Sequence, residues 1–204
     1  KGPRVRIPGP PPRNDALLSV QDKGALLFYL FATVEQRGYC KMKIVIQVWC
    51  EAQNAQAVEI WNQIVLEGNA FPQTECLTES TGAQYFAGQS YTGVAMDAES
   101  GRTIGVYTLH PNNVGRCGHI CNASYAVHRD VRGHGVGEAL VRHCMATAKS
   151  LGFRILQFNA VVKTNVSALH LYEKLGFQQL GVIPGGFRMD GGQYEDIIPH
   201  YIAL

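Results

Sequence analysis

Apolar residues recur along this chain with two different periods, and the changes of period mark out its elements. Ile44-Val-Ile-Gln-Val-Trp49 is a β-branched run and predicts a strand. Ala57, Ile60, Trp61, Ile64 and Val65 then repeat at helical spacing, with Asn54 as the expected N-cap and Gly68 as the residue that ends the helix. Residues 69–90 show no sustained period and read as loop. Strands are predicted over 91–97 and 103–110 around the hairpin signal Ala98-Glu-Ser-Gly-Arg102, and again over 121–128. Val136, Leu140, Val141, Cys144, Met145 and Ala148 return to helical spacing and stop at Gly152. A strand over 155–161, a short helix over 166–175 closed by Gly176, and a last pair of strands over 178–183 and 194–203 complete the pattern. The order β-α-β-β-β-α-β-α-β-β predicts a mixed α/β chain with one sheet as its core and no internal repeat.

The first forty-one residues do not share this pattern. Lys1 to Asn14 carries five prolines and four basic residues, a composition that suits neither a helix interior nor a central strand and predicts disorder. The apolar run Gly24 to Val34 is shorter than the roughly 20 residues a membrane span takes. Basic residues precede it as in a secretory signal, but no small-x-small cleavage site follows cleanly. Residues 1–41 are therefore expected to be a disordered or non-native extension, and residues 42–204 the working domain.

Composition narrows the function further. With 46% hydrophobic and 17% charged residues, the 204-residue chain has enough apolar surface for one packed core. A net charge of +2, with no Lys/Arg cluster interleaved with aromatics, argues against nucleic acid as a partner. Six cysteines at irregular spacing do not form a disulfide framework and predict reduced thiols in a cytoplasmic protein. Cys117 and Cys121 with His119 lack a second ligand pair at finger spacing, so no metal is expected.

The segment with most chemistry is Tyr125-Ala-Val-His-Arg-Asp-Val-Arg-Gly-His-Gly-Val-Gly-Glu-Ala-Leu140. It passes from a strand through a glycine-rich turn directly into an amphipathic helix, so backbone N–H groups and the helix N-terminus converge as they do on a phosphate. Gly133, Gly135 and Gly137 allow close backbone approach, and Arg132 adds positive charge. A Walker loop would need Gly-Lys-Ser/Thr, which is absent. A Rossmann fingerprint would need a third glycine one residue later and a place in the first β-α turn.

Arg132-x-x-Gly135-x-Gly137 instead resembles the R/Q-x-x-G-x-G/A signature of the GNAT superfamily of acetyl-CoA-dependent N-acetyltransferases. Asn165-Val-Ser-Ala-Leu-His-Leu-Tyr-Glu-Lys-Leu-Gly-Phe177, one strand further on, resembles that superfamily's N-x-x-A-x-x-x-Y-x-x-x-G-F helix. The resemblance covers about 42–204 and implies the GNAT fold, a single central mixed and mostly antiparallel sheet flanked by helices. It implies acetyl-CoA as co-substrate, its pyrophosphate held by Arg132, Gly133, His134, Gly135, Val136 and Gly137. His134 would there face solvent or a coenzyme phosphate. The backbone of Tyr125 and Val127 would pair with the pantetheine arm, which Asn165 would also contact, and Tyr172 would protonate the departing thiolate. Leu169, Leu175 and Phe177 read as core.

Acetyl transfer to an amine also needs a neutral nucleophile and a stabilised oxyanion. The strand before the glycine loop carries no glutamate base; it offers Asn122 and Ser124 on one face, and the next strand offers Asn159. Mid-strand asparagine is unfavourable by propensity, so the pair points either to a polar requirement or to buried backbone needing partners. Gly118-His-Ile-Cys-Asn-Ala-Ser-Tyr125, Gln157-Phe-Asn159, Pro184-Gly-Gly-Phe-Arg188 and Tyr194-Glu-Asp196 resemble a GNAT subgroup that includes the fungal azetidine-2-carboxylate acetyltransferases. That resemblance implies Asn122 and Asn159 at the reaction centre and a substrate-side loop, Glu67 to Pro72, with Glu67 and Phe71 against the amine. His110, His128, His143, His170 and His200 have no recognisable partners in sequence and read as structural or exposed.

The expectation is therefore an N-acetyltransferase acting on a small primary or secondary amine, an imino acid or proline analogue among them. A non-catalytic acyl-CoA-binding or sensing module and a protein amine acetyltransferase are the alternatives. Segments 69–90 and 184–193 read as lids over a small pocket, which disfavours a protein substrate. A homodimer is compatible with the chain.

Overall fold

A computed structural model describes residues 42–204; the expectations for residues 1–41 lie outside the described residues. In chain order the elements begin with β1 (Ile44–Val48), α1 (Asn54–Glu67), α2 (Glu79–Ala87), β2 (Tyr91–Asp97), β3 (Thr103–Pro111) and β4 (Ile120–Val127). They continue with α3 (Val136–Ser150), β5 (Ile155–Phe158), α4 (Val166–Lys174), β6 (Gln178–Gln179), β7 (Ile183–Arg188), β8 (Tyr194–Ile197) and β9 (His200–Ala203). Seven strands form one sheet in the order β1-β2-β3-β4-β5-β9-β6, and β7 pairs with β8 in a second, two-stranded sheet. Every pairing in the large sheet is antiparallel except β4 with β5.

Residues 103–109 of β3 are buried without a break, which requires cover on both faces of the sheet. On one face α1 places Ala57, Ile60, Trp61 and Ile64 against Val94, Val106 and Ala126, with Phe86 of α2 completing the cluster. On the other, α3 places Val136, Leu140, Val141 and Cys144 against Ile44, Tyr107 and Leu109. The helical repeats read from sequence are these two buried stripes.

Three elements depart from the sequence reading. Residues 69–90 contain α2, which buries only Gly82 and Phe86 and so carries too short an apolar stripe to show a period. Thr78 caps it, its hydroxyl accepting from the Thr81 N–H at 3.1 Å, and Gly82 lies mid-helix because a Cβ there would stand 2.2 Å from Val58 Cγ2. Asn54 is the first residue of α1 rather than its cap; its amide donates to the Glu79 carbonyl at 2.9 Å and ties α1 to α2. The last pair of strands is split between two sheets: β6 and β5 flank β9 in the large sheet, while β7 joins β8 apart from it. Pro184-Gly-Gly reads as loop in sequence, yet the Asp196 carboxylate accepts from the Gly185 N–H at 3.2 Å and stitches it to β8. Segment 184–193 is thus mostly a hairpin rather than a loop lid. No helix among the described residues is long and apolar enough to cross a membrane.

Candidate active site

β4 and β5 meet only at Ile120↔Ile155 and Cys121↔Leu156, after which they part while β4 runs on to Val127 against β3. A cleft of about 1110 Å³ opens between them, lined by β4, the end of β5, the glycine loop, α4 and the segment after α1. Strand alternation determines which backbone groups reach it. The His128 N–H donates to Ile104 and the Ile120 carbonyl accepts from Asn112, so even-numbered residues of β4 bond toward β3. Odd-numbered residues, Tyr125 and Val127 among them, therefore turn their N–H and C=O groups to the cleft. That is a strand edge with no neighbouring strand beyond Cys121, able to accept an extended ligand by backbone pairing.

The glycine loop closes one end of the cleft. Gly133 and Gly135 have φ of +81° and +82°, a left-handed conformation that side chains with a Cβ rarely adopt. Through it the chain turns from the short 3₁₀ turn Arg129–Val131 into α3, with Gly135 in the N-cap position. The first-turn N–H groups of α3 have no intrahelical acceptor and carry the positive end of the helix dipole. Arg132 stands beside them, its Nε donating to the Val127 carbonyl at 3.4 Å and its Nη2 to Glu67 Oε1 at 2.8 Å. Glu67 thus lines the cleft with its carboxylate engaged on the glycine-loop side, and Phe71 lines it from the segment after α1. Val136 and Gly137 also line the cleft; His134 is exposed and lies outside that lining.

α4 forms another wall. Asn165 caps it, its Oδ1 accepting from the Ala168 N–H at 3.2 Å, which leaves its amide nitrogen without a hydrogen bond among the described residues. The Tyr172 ring is held by Phe158 at 4.5 Å, Phe177 at 5.3 Å and His200 at 5.8 Å between centroids. Tyr172 lines the cleft, its hydroxyl makes no hydrogen bond within the described residues, and burial pushes the phenol above the usual tyrosine range. Tyr125 lies on the same face of the sheet. Its hydroxyl is buried without a hydrogen-bond partner, and desolvation, with the Cys144 thiol nearby, raises its pKa as well.

Both asparagines line the cleft, each just past the point where the strands part. Asn122 lies on β4, while Asn159 falls one residue beyond β5, where the chain bends. The sequence reading extended this strand to 161; it stops at Phe158, which removes the propensity conflict of a mid-strand Asn159. Asn159 donates its amide to Asn112 Oδ1 at 2.7 Å and accepts from Asn112 Nδ2 at 3.2 Å and Gln157 Nε2 at 2.9 Å. Asn112 is invisible to sequence reasoning because its partner is far along the chain. His110 lies directly across β3 and β4 from Asn122 and lines the cleft with it. Three of the other histidines have partners: His128 meets the Arg102 guanidinium at 2.7 Å, His143 meets the Tyr107 hydroxyl at 2.8 Å, and the His200 ring meets the Ile198 carbonyl at 2.6 Å.

The described cysteines, Cys50, Cys76, Cys117, Cys121 and Cys144, are all free. Cys121 is buried, its thiol donating to the Ile155 carbonyl at 3.2 Å, while Cys117 is exposed. The two do not face one site, and the described residues contain no cluster of metal-ligating side chains.

These features coincide with a known family. Residues 60–177, more than half of the chain, match the acetyltransferase (GNAT) family, and the chain belongs to it. N-acetyltransferase aca1 of Schizosaccharomyces pombe is 34% identical over 99 residues, which are 48% of this chain and 46% of that protein. The chain thus spans under half the length of this curated relative. A GCN5-related N-acetyltransferase from Kribbella flavida is 30% identical, with a TM-score of 0.73 over 79% of this chain and 98% of that one. A GNAT phosphinothricin acetyltransferase from Sinorhizobium meliloti, solved in complex with acetyl-CoA, shares the fold with a TM-score of 0.73 at 22% identity, covering 79% of this chain and 88% of that one.

Proposed function

We propose that this chain transfers the acetyl group of acetyl-CoA to the nitrogen of a small primary or secondary amine. One observation carries the reading: a single cleft is lined by the phosphate-type glycine loop, the cleft-facing edge of β4, and the side chains of Asn122 and Asn159. The N–H groups of the first turn of α3, with Arg132, would hold the coenzyme pyrophosphate, and the cleft-facing backbone of Tyr125 and Val127 would pair with pantetheine. The co-substrate supplies an activated acetyl thioester. Within this chain, Tyr172 holds a proton that a departing thiolate can take, and burial keeps it protonated at neutral pH.

Asn159 has two amide hydrogens, and Asn112 takes one of them. The other remains to stabilise an oxyanion, with the side chain already locked by Asn112 and Gln157. Asn122 would orient the amine. The substrate chemistry we favour is a small amino or imino acid. It is supported by the resemblance to azetidine-2-carboxylate acetyltransferases and by the phosphinothricin named for the Sinorhizobium meliloti relative.

A thiol-release assay with acetyl-CoA and a panel of azetidine-2-carboxylate, proline, phosphinothricin and polyamines tests the reading. Amine-dependent release of free CoA and formation of the acetamide are expected. Coenzyme binding without release for any amine would identify a silent acyl-CoA module instead. Asn159→Ala should raise the barrier by about 2.7–4 kcal/mol, the cost of a lost oxyanion donor, with CoA affinity nearly unchanged.

A further inference from the structure

An aliphatic amine is mostly cationic at neutral pH and cannot attack until it loses a proton, so this cleft needs an acceptor on its amine side. Two carboxylates line it, and both stand on its glycine-loop side, paired with cations there: Glu67 with Arg132 at 2.8 Å, and Glu138, in the first turn of α3, with Lys174 at 2.6 Å and Arg142 at 2.8 Å. Tyr85, Tyr125 and Tyr172 also line it, each with its phenol raised by burial and so holding its proton at neutral pH. Two imidazoles remain, those of His110 and His170. His170 is an exposed residue of α4, on the wall that follows the coenzyme-side Asn165. His110 is directly across from Asn122 in the β3–β4 register.

The tautomer of His110 can be read from its one hydrogen bond. Its Nδ1 lies 3.0 Å from the carbonyl oxygen of Pro111, and a carbonyl only accepts, so Nδ1 carries the hydrogen. The neutral ring then presents a lone pair at Nε2, which has no partner among the described residues.

We infer that His110, through Nε2, is the group that takes the proton from the substrate ammonium. The inference rests on the acetyltransfer reading above. The ammonium gives one N–H proton to Nε2, and the imidazolium returns it to water in the cleft. The freed lone pair forms the C–N bond to the acetyl carbon as the C–S bond breaks. The departing thiolate takes the Tyr172 hydroxyl proton, and the second N–H proton, lost as the amide forms, refills Tyr172. The sum is ammonium plus acetyl thioester giving acetamide, thiol and one proton to solvent.

The test compares wild-type protein with His110→Ala and the near-isosteric His110→Gln, using acetyl-CoA with azetidine-2-carboxylate and with phosphinothricin. Both variants should bind CoA as wild type does by calorimetry and lose about 10²–10⁴-fold in turnover at neutral pH. The deficit should shrink as pH rises and the amine deprotonates unaided. Added imidazole should restore part of the turnover of His110→Ala and leave wild type unchanged. Wild-type turnover in a folded His110→Gln protein would overturn the assignment. So would a loss that is the same at every pH and unmoved by imidazole, since that is the behaviour of a structural residue. A wild-type protein that releases no thiol with either amine would overturn the acetyltransfer reading itself, and the proposal with it.

Discussion

Tyr172 combines a fixed ring with an uncommitted hydroxyl. Three aromatic neighbours hold the ring, and nothing within the described residues competes for the proton. Tyr172→Phe keeps the ring contacts and removes only the O–H, so turnover should fall about 10²–10⁴-fold with CoA affinity unchanged. The sign of its pH dependence follows from the raised pKa. In the proposed role the protonated form is the active one, so any alkaline loss of kcat due to this group should begin above the ordinary tyrosine value of about 10. A kcat profile of wild type and variant, taken where chemistry limits the rate, checks both points. At this scale the sequence motif singled out the tyrosine, while its free hydroxyl depends on Phe158, Phe177 and His200 arriving from other elements.

The turn into α3 is the element most legible in sequence, because its geometry is local. Glycines at left-handed positions followed by an amphipathic run leave the chain few alternatives. The three glycines are nevertheless not equivalent. Gly137 has no positive φ, and a Cβ there would meet only Leu171 and Val127 side chains at 3.7 and 3.8 Å, so Gly137→Val should fold. Its side chain would stand on the first turn of the helix where the coenzyme phosphates are proposed to lie, and CoA binding should weaken by more than tenfold with little change in Tm. Gly135→Val, at φ +82°, should lose stability as well, at about 1–3 kcal/mol for the strained backbone. Calorimetry with CoA beside thermal melts separates the two, and unchanged CoA affinity in a folded Gly137→Val protein would remove the loop from the coenzyme site. By contrast α2 was not legible, since its single large buried side chain, Phe86, depends on the Trp61 ring 5.8 Å away.

Across the whole molecule, burial raises the pKa of several acids together: Tyr107 and Tyr125 well above the ordinary tyrosine range, and the Cys121 and Cys144 thiols to about 12. The folded state keeps protons that the unfolded chain releases, so stability is intact below the unfolded thiol pKa of about 8.5. It falls as pH rises, first through the thiols and then through the phenols near 10. Thermal melts from pH 7 to 11 should show this decline, with a shallower slope between about 8.5 and 10 in Cys144→Ala. A Tm constant across that range would contradict the burial argument.

Helices α1, α3 and α4, strands β1 to β4 and the two motifs were legible in the sequence alone, because hydrophobic period, helix-ending glycines and turn chemistry act over a few residues. Three things were decided only by tertiary structure: the parting of β4 from β5, the Asn112–Asn159 pair, and the placement of His110 across from Asn122. Each depends on strand register or on contacts between residues distant in the chain. The polar side chains involved are too few and too scattered to leave a periodic trace in the sequence.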